Sequence, residues 1–235
     1  MKMFLKIFNY FSLAEKLIWL FSVSLISVSF FVLDGTGYFS YLASLVGVTA
    51  LILCAKGNPL GQVLCIVFGL MYAVISFGFS YYGEVITYMC MSVPMAVLSL
   101  VSWLKNPFEG NKREVAVNTI SKKEAPLIFI LAVAVTFVMY FALKYFGTAN
   151  LIPSTFSVFT SFIAVYLTMR RSPYFALAYA VNDVVLVVLW ILACFVDIGY
   201  LSVVMCFGVF LINDLYGFVN WQKMQKKQSN LIKNK

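Results

Sequence analysis

The sequence predicts an all-α polytopic membrane protein with about eight transmembrane helices. An N-terminal helix comes first, and two parallel three-helix units joined by one linking helix follow (a 1+3+1+3 order). Three observations lead there. The chain is 63% hydrophobic and 11% charged, and apolar runs of about 18 residues recur along it, which soluble domains lack. All 17 basic residues except Lys144 fall in alternate connections between those runs. A proline-led entry and a Trp-x-Lys exit each occur twice.

Residues 1–16 mix Lys2, Lys6 and Lys16 with Phe4, Ile7, Phe8 and Phe11 on one helical face, the pattern of an interfacial amphipathic helix. No small-residue cleavage site follows the first apolar run, which argues against a cleaved signal peptide. The spans cover about 17–33, 39–55, 60–80, 83–104, 125–146, 154–169, 174–195 and 198–221.

Lysine and arginine sit before span 1, after spans 2, 4 and 6, and after span 8. The opposite connections carry Asp34, Glu84 and Asp197. The positive-inside rule therefore places both termini in the cytoplasm. The net charge of +8 belongs to this asymmetry and does not indicate a nucleic-acid partner.

The long connection 105–124 contains Asn-Pro, Gly and mixed charges and reads as a cytoplasmic linker. On either side of it the halves look alike. One runs from Lys56-Gly-Asn-Pro59 to Trp103-Leu-Lys105, the other from Arg170-Arg-Ser-Pro173 to Trp221-Gln-Lys223. Proline favours the first helical position, and Trp followed by Lys is the usual interfacial anchor. Three helices are an odd number, so one linking helix is needed to give both units the same orientation. The expected organisation is an N-terminal amphipathic segment and extra helix (1–38), a first repeat (39–104), the linker (105–124), a linking helix (125–152), a second repeat (153–222) and a basic tail (223–235).

The five cysteines lie in apolar runs with no ligand spacing, and there is no histidine, which removes the commonest zinc ligand and general base. No metal or other cofactor is expected, and no nucleophile–base pair of an enzyme is visible.

Polar residues inside spans 7 and 8 are the candidate site, because a buried charge there costs about 2.5–3.5 kcal/mol on insertion scales. On span 7, Tyr179, Asn182, Asp183, Leu186 and Trp190 share one broad face. On span 8, Asn213, Asp214, Tyr216, Gly217 and Asn220 follow. The first repeat offers Tyr72, Ser76, Thr87, Tyr88 and Pro94. Amides, two carboxylates and aromatic planes together suit a flat heteroaromatic ligand with hydroxyl groups and a positive ring. Interhelical adhesion by Asn and Asp, and proton relay through Asp183 and Asp214, are the competing readings. Pro94 also reads as a kink.

At these residues the sequence resembles the PnuC-type nicotinamide riboside transporter family. The stretches that carry the resemblance are Tyr82-Gly-Glu-Val-Ile-Thr-Tyr88 with Pro94-Met-Ala96, Trp103-Leu-Lys-Asn-Pro107, and Phe210-Leu-Ile-Asn-Asp-Leu-Tyr-Gly-Phe-Val-Asn-Trp221. The resemblance covers roughly residues 40–225. It implies a bacterial inner-membrane facilitator of SWEET-like fold working by alternating access, a homotrimer, and a cytoplasmic kinase that traps the vitamin precursor by phosphorylation. It also implies that Asn182 and Asn213 hydrogen-bond the ligand. Where some relatives carry tryptophan one turn before the span-7 asparagine, this chain has Ala178, so Tyr179 or Trp190 would supply the stacking plane. Thiamine or riboflavin, carried by similar proteins, remain alternative substrates. A proton-coupled carrier and a non-transporting membrane component remain alternative functions.

Overall fold

The structure, a computed structural model, describes residues 10–34, 37–78, 82–148, 150–196, 198 and 201–234. Among these, 8 segments are long and apolar enough to cross a membrane, as the apolar runs predict. Most of the amphipathic face read in residues 1–16 lies outside the described residues.

Helix α1 (Leu13–Ser29) starts earlier than expected because Ser12 and Glu15 form a reciprocal capping box. It runs into a π-helical turn, Phe30–Asp34. Helices α2 (Tyr38–Ala55) and α3 (Pro59–Gly78) follow. The fourth span is built from α4 (Tyr82–Thr87), a π-helical turn (Tyr88–Ser92) and α5 (Val93–Lys105). Pro94 explains the break. It has no N–H, and its ring excludes the carbonyl one turn back, so the ladder widens and Val93 N–H reaches Tyr88 O. Helices α6 (Glu124–Tyr145), α7 (Leu151–Met169), α8 (Phe175–Cys194) and α9 (Leu201–Lys233) complete the chain. Phe129, Ile130, Phe137, Val138 and Phe141 project from α6 as an exposed apolar surface, fit for lipid.

The two halves pack reciprocally. Within each, α2 lies on α3 and α7 on α8. Across them, α9 packs on α2 and α5 packs on α7, so each half's last span closes on the other's first. The C-terminal caps of α2 and α7 are copies. Gly57 and Arg171 both stand two residues before a proline in the left-handed region, with φ of 65° and 58°. Gly57 N bonds Cys54 O and Asn58 N bonds Leu53 O; Arg171 N bonds Thr168 O and Ser172 N bonds Leu167 O.

Three expectations are corrected. Trp103 and Trp221 are not interfacial anchors: both are 0% exposed, packed between the halves. Residues 223–235 are not a separate tail, because α9 runs on to Lys233 with Met224 and Gln228 buried. The connection 105–124 is more than a tether. Strands β1 (Pro107–Phe108) and β2 (Asn111–Val115) form a hairpin across Glu109-Gly110, both at positive φ as a primed two-residue turn requires. The segment beyond it clasps both caps: Val115 N donates to Gly57 O, and Asn118 N to Arg171 O. Gln228 of α9 bonds Val117 N–H, Val115 O and Glu114 from the other side. Nearby, Arg170 pairs with Glu124 at 2.6 Å, and that carboxylate raises the guanidinium above its ordinary range.

Candidate functional site

Helices α8 and α9 pack along their length and bring their acidic residues face to face. Asp183 lies near the middle of α8 and Asp214 on the facing turns of α9; both are buried. The two carboxyl groups approach closely enough to interact directly. Two buried carboxylates this close repel each other, so sharing one proton and one negative charge is the arrangement that electrostatics favours. Asp183 Oδ2 is buried with no hydrogen-bond donor among the described residues.

Asn182 is fixed by α7. Its Oδ1 lies 2.7 Å from Thr160 Oγ1 and 3.0 Å from Ser161 Oγ, within reach as acceptor of both hydroxyls. Its acceptor end is therefore engaged, and its NH2 end is the half left for a ligand. Asn213 has the opposite commitment. Its Nδ2 donates to Val209 O at 2.8 Å and to Ser22 Oγ at 2.9 Å, and its Oδ1 is buried without a partner.

The first half contributes rings. Tyr72 and Tyr88 meet at 4.7 Å between centroids, and Phe68 joins both at 5.7 and 6.4 Å. The π-helical turn holds Tyr88 against α3, near Asp183 and Cys206. Trp190, Leu186 and Phe210 form one cluster against which Phe68 and Tyr72 pack. The halves are thus chemically unlike at matching positions. Phe68 and Gly69 stand as far beyond Pro59 as Asn182 and Asp183 stand beyond Pro173.

Of the residues singled out by sequence, Asp183, Asp214, Trp190, Tyr72 and Tyr88 come together here, and Asn182, next to Asp183 on α8, is turned to α7. Asn213 sits one position round α9, toward α1. Tyr179 lies near Asp214, but its hydroxyl bonds Thr168 and its ring packs with Trp103, Phe175 and Trp221 at the basic end. Tyr216 is turned to α1, its hydroxyl donating to Glu15 at 3.2 Å, where Glu15 also pairs with Lys56 at 3.0 Å. Sequence reasoning passed over Glu15, Ser22, Phe68, Thr160 and Ser161. Ser12-x-x-Glu15 was a readable capping box, and Glu15, Ser22 and Ser29 recur at heptad spacing on one buried face. Nothing in the local sequence marked Phe68 or Thr160. Among the described residues no group of three or more potential metal ligands occurs.

Comparison with known proteins agrees with this architecture. A family model described as nicotinamide mononucleotide transporter matches residues 37–223. The chain is 24% identical over 217 residues to the nicotinamide riboside transporter PnuC of Neisseria mucosa, covering 90% of this chain and 82% of that protein. It is 19% identical over 214 residues to the nicotinamide riboside transporter PnuC of Haemophilus influenzae, covering 90% and 91%. A crystal structure of the vitamin B3 transporter PnuC superposes with a TM-score of 0.80 at 22% identity, covering 93% of this chain and 94% of that one.

Proposed function

The chain belongs to the nicotinamide mononucleotide transporter family, and from that premise we propose that it takes up nicotinamide riboside across a bacterial plasma membrane. As a member of that family it is a multi-pass membrane transporter and not an enzyme. The finer reading concerns the ligand and the mode of transport.

The observation that carries it is the facing, buried carboxyl pair Asp183–Asp214 beside the Tyr72–Tyr88 rings. One negative charge and aromatic faces complement one pyridinium cation. The described segments of spans 2–4 and 6–8 contain no basic residue within the apolar runs. A phosphate group would meet the carboxyl pair with nothing to neutralise it, which favours the riboside over the mononucleotide. The NH2 end of Asn182 and the free oxygens of Asn213 and Asp183 then suit ribose hydroxyls and a carboxamide.

Transport in this reading is facilitated diffusion by alternating access, with the reciprocal halves rocking about the site and the basic end in the cytoplasm. A cytoplasmic kinase would trap the riboside by phosphorylation. Homotrimeric assembly belongs to the same proposal. Titrating the purified protein with nicotinamide riboside, nicotinamide mononucleotide, thiamine and riboflavin, followed by tryptophan fluorescence, tests it. Tightest binding of the riboside is expected, and tighter binding of the mononucleotide or riboflavin overturns it.

A proton-coupled carrier is the second reading, favoured by two facing buried carboxyl groups placed to bind a proton between them. Uptake into vesicles that collapses when the proton gradient is dissipated, with ATP held constant, would select it.

A further inference from the structure

Helix α1 lies before the segment matched by the family model, yet it reaches one of the site's polar groups. Asn213 is 1% exposed, and the direction of its amide is decided by chemistry. The carbonyl of Val209 can only accept, so the NH2 group must face it and Oδ1 must face the other way. The second N–H is taken by Ser22 Oγ, on a side chain that is itself fully buried. Oδ1 is left without a partner, next in sequence to Asp214 and, like Asp183 Oδ2, an acceptor with no donor. An unsatisfied buried acceptor costs about 1–3 kcal/mol, and two together on α8 and α9 want donors from a ligand.

Ser22 is not needed to hold α1 in place. Glu15 pairs with Lys56 and accepts from Tyr216, Trp19 Nε1 donates to Thr49 Oγ1 at 3.1 Å, and Ile26 is buried in the cluster around Trp190. Removing one hydroxyl leaves all of these.

We propose that Ser22 is a positioning residue for substrate binding: its hydroxyl locks the Asn213 amide so that Oδ1 serves as acceptor for a ligand hydroxyl or amide N–H. The proposal rests on the substrate reading above. Without Ser22 the amide is held by one bond instead of two: Val209 O still fixes which end faces it, but the amide plane, and with it the direction of Oδ1, is free to swing.

The test is a double-mutant cycle on the full-length protein, titrated with nicotinamide riboside by tryptophan fluorescence, with melting temperatures recorded alongside. Ser22→Ala should weaken binding about tenfold, the worth of one buried hydrogen bond, while staying folded with a lowered melting temperature, because one buried Asn213 N–H loses its partner. Asn213→Ala should weaken it at least as much, and Ser22→Ala added to Asn213→Ala should cost nothing more, because Ser22 acts only through Asn213. Parent-like affinity in Ser22→Ala, or losses that add in the double variant, overturns the proposal while leaving the substrate reading intact. A parent protein that does not bind the riboside overturns both.

Discussion

Trp103 and Trp221 face each other with ring centroids 5.4 Å apart, and each donates its indole N–H to the half it does not belong to. Trp103 Nε1 reaches Thr168 O at the end of α7; Trp221 Nε1 reaches Cys54 O at the end of α2. The bonds are 2.9 Å each, and the accepting residues occupy matching places in the two caps. The basic end of the bundle is therefore closed by one lock made twice, once from each half.

Replacing either tryptophan by phenylalanine keeps a ring but removes one of the two hydrogen bonds its partner carbonyl accepts, the cap amide of Gly57 or Arg171 keeping the other, at a cost of about 0.5–1.5 kcal/mol. Replacement by alanine adds a cavity and should cost about 3–5 kcal/mol. Because the lock is reciprocal, Trp103→Phe and Trp221→Phe should lower the melting temperature in detergent by similar amounts. A parent-like melt for either one would show that its bond carries no load.

Gln228 offers a second handle on the same end. Its amide bonds Val117 N–H, Val115 O and Glu114 at once, holding the clasp that runs from Gly57 to Arg171. Gln228→Ala strands a backbone donor and should destabilise by about 1–3 kcal/mol, with faster amide hydrogen exchange at Val117. Unchanged exchange at Val117 would contradict this.

The span count, the 1+3+1+3 order and the acidic pair on spans 7 and 8 were legible, because bilayer length and the cost of buried charge write themselves directly into sequence. The buried state of Trp103 and Trp221 was not. Trp-x-Lys at a helix end is the same string whether it meets headgroups or another helix, and only the crossing of α9 onto α2 decides between them. The split between Asn213 and Asp214 was hidden for a related reason. Neighbours on a helix differ by about 100° in direction, so one faces α1 and the other α8. The length of α9 was missed because its last turns are polar and are held by the hairpin, a tertiary contact that hydropathy does not register.

Gly47 sets how closely α2 approaches α9. A Cβ there would stand 2.6 Å from the Phe210 ring, and Phe210 packs on Phe68 at 5.7 Å. Gly47→Ala should therefore push the ring into the aromatic wall, costing about 1–3 kcal/mol of stability and weakening riboside binding through Phe68. Parent-like affinity would mean that the wall tolerates the shift.

Asn182→Ala removes the acceptor that orders Thr160 and Ser161 together with the NH2 group proposed to meet the ligand. Riboside affinity should fall about tenfold or more. Thr160→Val, which keeps volume and removes the hydroxyl, should weaken binding less, since Ser161 still bonds Asn182. An equal loss in the two variants would place the effect in α7 rather than in the amide.

The acidic pair makes the sharpest forecast, because two facing buried carboxyl groups favour one proton and one charge between them. In Asp183→Asn the new amide can donate to Asp214, and in Asp214→Asn it can donate to Asp183, so with a shared proton in the parent either variant preserves one hydrogen bond and one negative charge. Each should bind nicotinamide riboside within a few-fold of the parent. The double variant has no charge left to face the ring. A unit charge about 5 Å from a cation is worth about 3 kcal/mol at an effective dielectric of about 20, so affinity should drop on the order of a hundredfold. Titration of the three variants by tryptophan fluorescence decides it. Two single losses that multiply to the double would mean that each carboxylate carries its own charge and that no proton is shared.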